Sequence, residues 1–200
     1  MHRFNPARRD VLVSEERYRA LPPDRILDLL PLQPTMVVAD IGCGPGFFTL
    51  PLAARLARGR VHAVDVEPVM LDAVRDRAAT AGRANITTHL ATADAVPLPA
   101  GSLDGAFMAL TFLFIPATER AAYLARLRAL VRPAGWLAIL EWERRQNPGG
   151  GPPLAARVPP EETDRALAAA GWRPIVRAAP SEWQYFVLAG QGRDGAGDAP

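Results

Sequence analysis

Apolar residues fall along this chain in short dense runs separated by stretches with helical spacing. Met36-Val37-Val38-Ala39-Asp40 and Val61-His62-Ala63-Val64-Asp65 are two such runs, each closing on an acid, and Ile86 to Leu90, Gly105 to Leu110 and Trp136 to Glu141 continue the series. Short runs without polar alternation predict strands covered on both faces, the condition of a parallel sheet. Between them the spacing predicts helices from about Phe47 to Ala57, from Pro68 to about Ala81 with Gly82 just past its end, and from Ala117 to Val131 with Leu124, Leu127 and Leu130 on one face. Strand and helix in alternation predict an α/β fold with a doubly wound sheet.

The two ends extend this pattern. Pro22-Pro23-Asp24 opens a helix whose apolar face is Ile26, Leu27, Leu29 and Leu30, and Pro31 and Pro34 stop it, so residues 1–35 read as a helical lead-in over one edge of the ligand site. After the fifth strand, Arg144 to Pro160 is irregular and reads as an inserted functional loop. Pro160 to Ala170 is a helix ended by Gly171, and strands at Trp172 to Ala178 and Trp183 to Ala189 are joined so briefly that they must pair antiparallel. Residues 1–190 are expected to form a single domain, and 191–200, glycine-rich and polar, a disordered tail.

Composition narrows the setting. With 200 residues, 49% of them hydrophobic, the chain can bury one sizeable core. Its single cysteine, Cys43, excludes a disulfide framework and a cysteine-based zinc site, so no metal centre is expected and a reducing, cytoplasmic location fits. The net charge is +2, with both signs interspersed, which gives no reason to expect a nucleic-acid partner. All 23 basic residues are arginines, a compositional bias rather than a phosphate signal. The run Ala106 to Ile115 is too short to span a bilayer.

The candidate chemistry lies at the strand ends. Gly42, Gly44 and Gly46 form a glycine-rich turn between first strand and helix, which brings backbone amides close to a ligand and by itself fits several nucleotide-like molecules. Asp40 stands immediately before it, where a pyrophosphate would be repelled and a cationic group attracted. The glycine interval of two also departs from the dinucleotide fingerprint. Asp65 is placed to accept both hydroxyls of a ribose, and Asp94 to accept from an adenine amino group, although a turn or helix cap explains Asp94 equally. Leu110 completes the cofactor side at the end of the fourth strand, a position that reads also as sheet core.

These motifs resemble those of class I S-adenosylmethionine-dependent methyltransferases, in particular the small UbiE/COQ5-like enzymes of the methyltransferase type 11 group. The resemblance runs from Val37 to Ala189 and rests on Val38 to Gly46, Val64-Asp65-Val66-Glu67-Pro68 with Met70-Leu71, Asp94 with Pro97-Leu98-Pro99, and Leu130 to Gly135. It implies a Rossmann-like seven-stranded sheet, mostly parallel with an antiparallel last strand, and S-adenosylmethionine as cofactor. It also implies Gly42 and Gly44 at the methionine end, Asp65 at the ribose, Asp94 with the Ala95 amide at the adenine, and Val66 and Met70 flanking the adenine ring. Ala134 stands where the family usually has glycine, and Leu113 near the position where relatives often carry histidine.

Methyl transfer from a sulfonium gains much of its rate from alignment, so a protein base is needed only when the acceptor must lose a proton. The candidates for that role or for orienting the acceptor are His2, Tyr18, Glu141, Glu143, Arg157 and Tyr185, and none stands out as catalytic. His62 and His89 read as structural or solvent-facing, and Phe112 to Phe114 as core or as the wall of an acceptor pocket. The loop from Gly151 to Arg157 is placed to lid that pocket, with Arg157 meeting an anion or pairing with Glu161 or Glu162. The expected activity is methylation of a small molecule; a nicotinamide-dependent oxidoreductase on a similar fold and a non-catalytic S-adenosylmethionine-binding protein are the alternatives.

Overall fold

The structure is a computed structural model that describes residues 6–92, 95–146 and 150–191. Its elements in chain order are α1 (Glu15–Ala20), α2 (Pro23–Leu27), β1 (Val37–Ile41), α3 (Thr49–Arg55), β2 (Arg60–Asp65), α4 (Pro68–Thr80), β3 (Ile86–Leu90), β4 (Leu103–Ala109), α5 (Arg120–Leu130), β5 (Val131–Trp142), α6 (Pro160–Ala169), β6 (Trp172–Ser181) and β7 (Gln184–Gln191). Short 3-10 turns cover Pro6–Val13, Phe112–Phe114 and Leu154–Ala156.

The strands form one seven-stranded sheet in the order β3-β2-β1-β4-β5-β7-β6. β1 pairs in parallel with β2 and β4, β2 with β3, and β4 with β5; β7 lies antiparallel between β5 and β6. This is the expected Rossmann-like sheet with its antiparallel last strand. The order reverses at β1 and β4, whose carboxyl ends therefore flank the crevice in which open α/β sheets bind ligands.

One face of the sheet packs Leu124 and Leu127 of α5 and Leu167 of α6 over Ile41, Met108 and Ile139. The other packs Ile26 and Leu27 of α2 and Leu52 of α3 over Val38, Phe107 and Leu140. Along β1 the side chains alternate between these layers, so Asp40 falls on the α3 side, against Thr49. Trp136 lies on Gly105, where a Cβ would stand 2.2 Å from the indole, and that approach ties β4 to β5.

The sequence pattern differs from the structure mainly at element ends. Ala117 to Glu119 form a turn before α5, and β5 begins at Val131, with a register irregularity between Leu103 and Gly105 absorbing the Pro133-Ala134-Gly135 segment. The lead-in carries α1 and a 3-10 turn besides α2. The expected tail beyond Gln191 lies outside the described residues.

Candidate active site

β1 ends on Ile41, and the chain then turns through Gly42, Gly44 and Gly46, all at positive φ (71°, 52° and 87°). Gly42 is held closely: a Cβ there would lie 2.6 Å from Cγ2 of Thr111, whose hydroxyl donates to the Ile41 carbonyl at 3.2 Å. At Gly44 the nearest atom to an added Cβ is Leu12 Cδ1 at 3.7 Å, so the loop is open on that side apart from the N-terminal segment.

Four amides of the turn are taken by protein oxygens. Those of Gly42 and Cys43 both donate to the Val64 carbonyl, at 2.7 and 3.0 Å, that of Gly46 to the Cys43 carbonyl at 3.1 Å, and that of Gly44 to Oδ2 of Asp65 at 2.8 Å. Of the amides expected to approach a ligand, those of Gly42, Cys43 and Gly44 tie the loop to β2 and that of Gly46 closes the turn on Cys43, so what these glycines provide is room for close approach. Cys43 is a buried side chain of the turn, its thiol directed at the Gly44 carbonyl.

Asp40 is 2% exposed and accepts from the Thr49 hydroxyl at 2.6 Å. Burial pushes its carboxyl up to about 7, against the Thr49 hydrogen bond, and Asp65 adds to the rise. Asp65 takes the Gly44 amide on one oxygen and the Glu67 amide, at 2.9 Å, on the other; burial raises its pKa too, with these amides opposing. Two acids thus stand at the carboxyl ends of adjacent strands, both held toward protonation by their surroundings.

Val66 is exposed beside Asp65, whereas Met70 of α4 is buried. The Ala95 amide donates to the Thr92 hydroxyl at 3.1 Å. Asp94 lies outside the described residues. Leu110 is 8% exposed and part of the core, with φ +59°, strained for a branched side chain, and its amide donates to the Leu140 carbonyl at 2.7 Å. Leu110 and Thr111 carry the end of β4 toward Gly42, so strain is stored where β4 meets the glycine loop.

Most acceptor-side candidates are already engaged. The Tyr18 hydroxyl accepts from Arg77 at 2.8 Å, and the Tyr185 hydroxyl is bonded to Thr163 and to the Val158 carbonyl. Glu141 is fully buried at the end of β5; burial pushes its carboxyl up to about 8, against hydrogen bonds from the Trp142, Leu113 and Phe112 amides, and its Oε1 has no partner among the described residues. Arg157 meets neither Glu161 nor Glu162. It lies over Trp142 and donates to the carbonyls of Pro152, Glu143, Arg145 and Gly150, a clasp on the β5–α6 loop. Glu162 pairs with Arg120 instead. Glu143 is half-buried just past β5, and His2 lies outside the described residues. His62 and His89 face each other across β2 and β3 at 2.8 Å, which agrees with a structural role.

Sequence reasoning missed Thr111, Thr49 and the roof over the loop. Tyr18 of α1 packs on Phe47 with ring centroids 4.5 Å apart, and Arg77 joins Tyr18 to the Pro45 carbonyl. A threonine two residues past a strand, or an arginine in an arginine-only chain, carries no signal that would single it out.

A protein-family model described as a methyltransferase domain matches residues 38–135. A crystal structure of a SAM dependent methyltransferase from Aquifex aeolicus superposes with a TM-score of 0.88 at 26% identity, covering 94% of this chain and 98% of that one. The chain carries a class I S-adenosylmethionine-dependent methyltransferase domain. Among curated relatives, trans-aconitate 2-methyltransferase of Paracidovorax citrulli is 34% identical over 150 residues, 74% of this chain and 54% of the relative. Aklanonic acid methyltransferase DauC of Streptomyces sp. is 31% identical over 103 residues, 51% of this chain and 46% of the relative. The chain spans about half the length of the curated relatives it matches. Among the described residues no helix is long and apolar enough to cross a membrane.

Proposed function

We propose that this protein transfers a methyl group from S-adenosylmethionine to a small carboxylic acid. The observation that carries the donor half is the glycine loop itself. Its amides at Gly42, Cys43, Gly44 and Gly46 are spent on protein oxygens, so a pyrophosphate would find none of these four free to donate and two acids behind them. A ligand with a sulfonium and an ammonium suits that site, because its positive charge offsets the cost that burial imposes on Asp40 and Asp65. The loop thus disfavours a nicotinamide cofactor. Gly42 and Gly44 would border the methionine end, Asp65 the ribose and Val66 the adenine face, with Asp94 and Ala95 in support.

Bound there, the donor supplies an activated methyl group. A carboxylate acceptor is ionised at neutral pH, so the new O–CH3 bond forms as S–CH3 breaks and no proton has to leave. That suits a site in which Tyr18 and Tyr185 are hydrogen-bonded, Arg157 is a clasp and Glu141 is enclosed. Two relatives named above act, by their names, on trans-aconitate and aklanonic acid, both carboxylic acids. Neither is named for quinone biosynthesis, so the nearer kinship with UbiE/COQ5-like enzymes is not part of this reading.

Calorimetry with S-adenosylmethionine, S-adenosylhomocysteine and NAD(P)H tests the donor; binding of the nicotinamide cofactor alone would refute the proposal. Asp65→Ala is expected to weaken S-adenosylhomocysteine by ten- to a hundredfold, the order of one or two charge-assisted hydrogen bonds. A panel of di- and tricarboxylic acids with labelled methyl donor tests the acceptor. Binding without turnover of any acid or neutral hydroxyl compound would favour a non-catalytic binding protein.

A further inference from the structure

Arg17 is a cation on α1 that has an aromatic ring beside it but no carboxylate among the described residues. Its guanidinium carbon lies 4.8 Å from the centre of the ring of Phe47, which immediately follows Gly46, and its Nε is buried with no hydrogen-bond partner among the described residues. Other arginines around the loop are spent: Arg77 on the Pro45 carbonyl and Tyr18, Arg55 on Asp24 and Asp28. Among the described residues no carboxylate pairs with Arg17. Burial lowers its pKa to about 10, with only Tyr18 opposing, so it stays charged at neutral pH in surroundings that penalise charge.

The position is fixed rather than incidental. Ser14 caps α1 by accepting the Arg17 amide at 3.3 Å, Tyr18 stacks on Phe47, and Leu12 approaches Gly44. Residues 12–18 therefore roof the segment from Gly44 to Phe47. Holding an unpaired guanidinium partly out of water costs free energy that an anion entering beside it would offset, and its planar fork matches a carboxylate bidentately.

We propose that Arg17 is a carboxylate-receiving residue of the cleft, contributed by the N-terminal roof above the glycine loop. The inference rests on the function proposed above. The carboxylate has two possible sources of the same chemistry, the methionine end of the donor and the acid group of the acceptor, and its place over Gly44 to Phe47 favours the former.

The test compares wild type with Arg17→Gln and Arg17→Lys, each checked for an unchanged thermal unfolding midpoint. Calorimetry uses S-adenosylhomocysteine and 5′-methylthioadenosine, which lacks the amino-acid end. Arg17→Gln is expected to weaken S-adenosylhomocysteine about ten- to a hundredfold and methylthioadenosine less than twofold, with Arg17→Lys between, which assigns the donor's carboxylate. Unchanged S-adenosylhomocysteine affinity with a tenfold higher KM for a methylated acid assigns the acceptor's carboxylate instead. Equal weakening of both nucleosides would mean that Arg17 only packs the roof, and no change in any of these would leave it without a ligand; either result overturns the inference. Wild type that binds no S-adenosylhomocysteine sinks the proposed function itself, a failure separate from a variant that binds as wild type does.

Discussion

Replacing Asp40 by Asn separates what this acid costs the fold from what it does in the cleft. Its folded-state pKa is about 7 against an ordinary value of 3.8, so the folded protein holds a proton there over a range in which the unfolded chain has lost it. A raised folded pKa in an acid means full stability below about pH 4 and a loss as pH rises to about 7, at about 1.4 kcal/mol per pH unit. The three-unit gap sets a ceiling of about 4 kcal/mol for this cost above pH 7. Asn keeps an oxygen for the Thr49 hydroxyl and carries no charge, so Asp40→Asn should unfold near the wild-type temperature at pH 4 and up to about 8–16 °C above it at pH 8. In the proposed donor site the same substitution also removes negative charge behind the glycine loop and should weaken S-adenosylmethionine about tenfold at pH 8 and little at pH 5. Thermal scans across pH 4–9 with calorimetry at both ends provide the check. Destabilisation of equal size at pH 5 and pH 8 would refute the account, because a structural hydrogen bond and not a buried charge would then dominate at this position.

Glu141→Gln should behave alike in stability, with a gain over wild type that appears between about pH 5 and 8, since burial raises that carboxyl from 4.5 to about 8; fluorescence-monitored unfolding reads it, and a gain present already at pH 4 would contradict it. Gly42→Ala must place a Cβ 2.6 Å from Thr111 Cγ2 at φ +71°, so it should cost about 1–3 kcal/mol and more than tenfold in S-adenosylhomocysteine affinity, with part of both restored by Thr111→Ala in the same chain. Arg157→Ala removes donors to four backbone carbonyls and should speed limited proteolysis between Glu143 and Arg157 severalfold while leaving S-adenosylhomocysteine affinity within twofold; unchanged proteolysis would dismiss the clasp.

Strand and helix periodicity made the sheet legible, and β3 spans Ile86–Leu90 as the pattern predicts. The start of β5 was not, because Pro133-Ala134-Gly135 reads as a turn while the pairing of Leu103 with Val131 extends the strand past it. At the site, Asp40 and Asp65 were correctly set at adjacent strand ends. The orientation of the glycine amides was invisible, since the Val64 carbonyl that receives two of them comes from a neighbouring strand and only the sheet register brings it there. Arg157 illustrates the same limit. Its place in the loop suggested an anion or a neighbouring glutamate as partner, yet the loop folds its own carbonyls around the guanidinium.

The hydrogen bond from the Gly44 amide to Asp65 joins the two halves of the cleft by one short link. With the donor placed as proposed, whatever shifts the carboxylate to meet a sugar would also pull on the residue assigned to the methionine end. The two ends of the ligand are then felt as one object, and fragments carrying only one of them should bind more weakly than their separate contacts would add up to. Discrimination in such a cleft comes from wholeness of the ligand, enforced by a backbone that has already chosen its own partners.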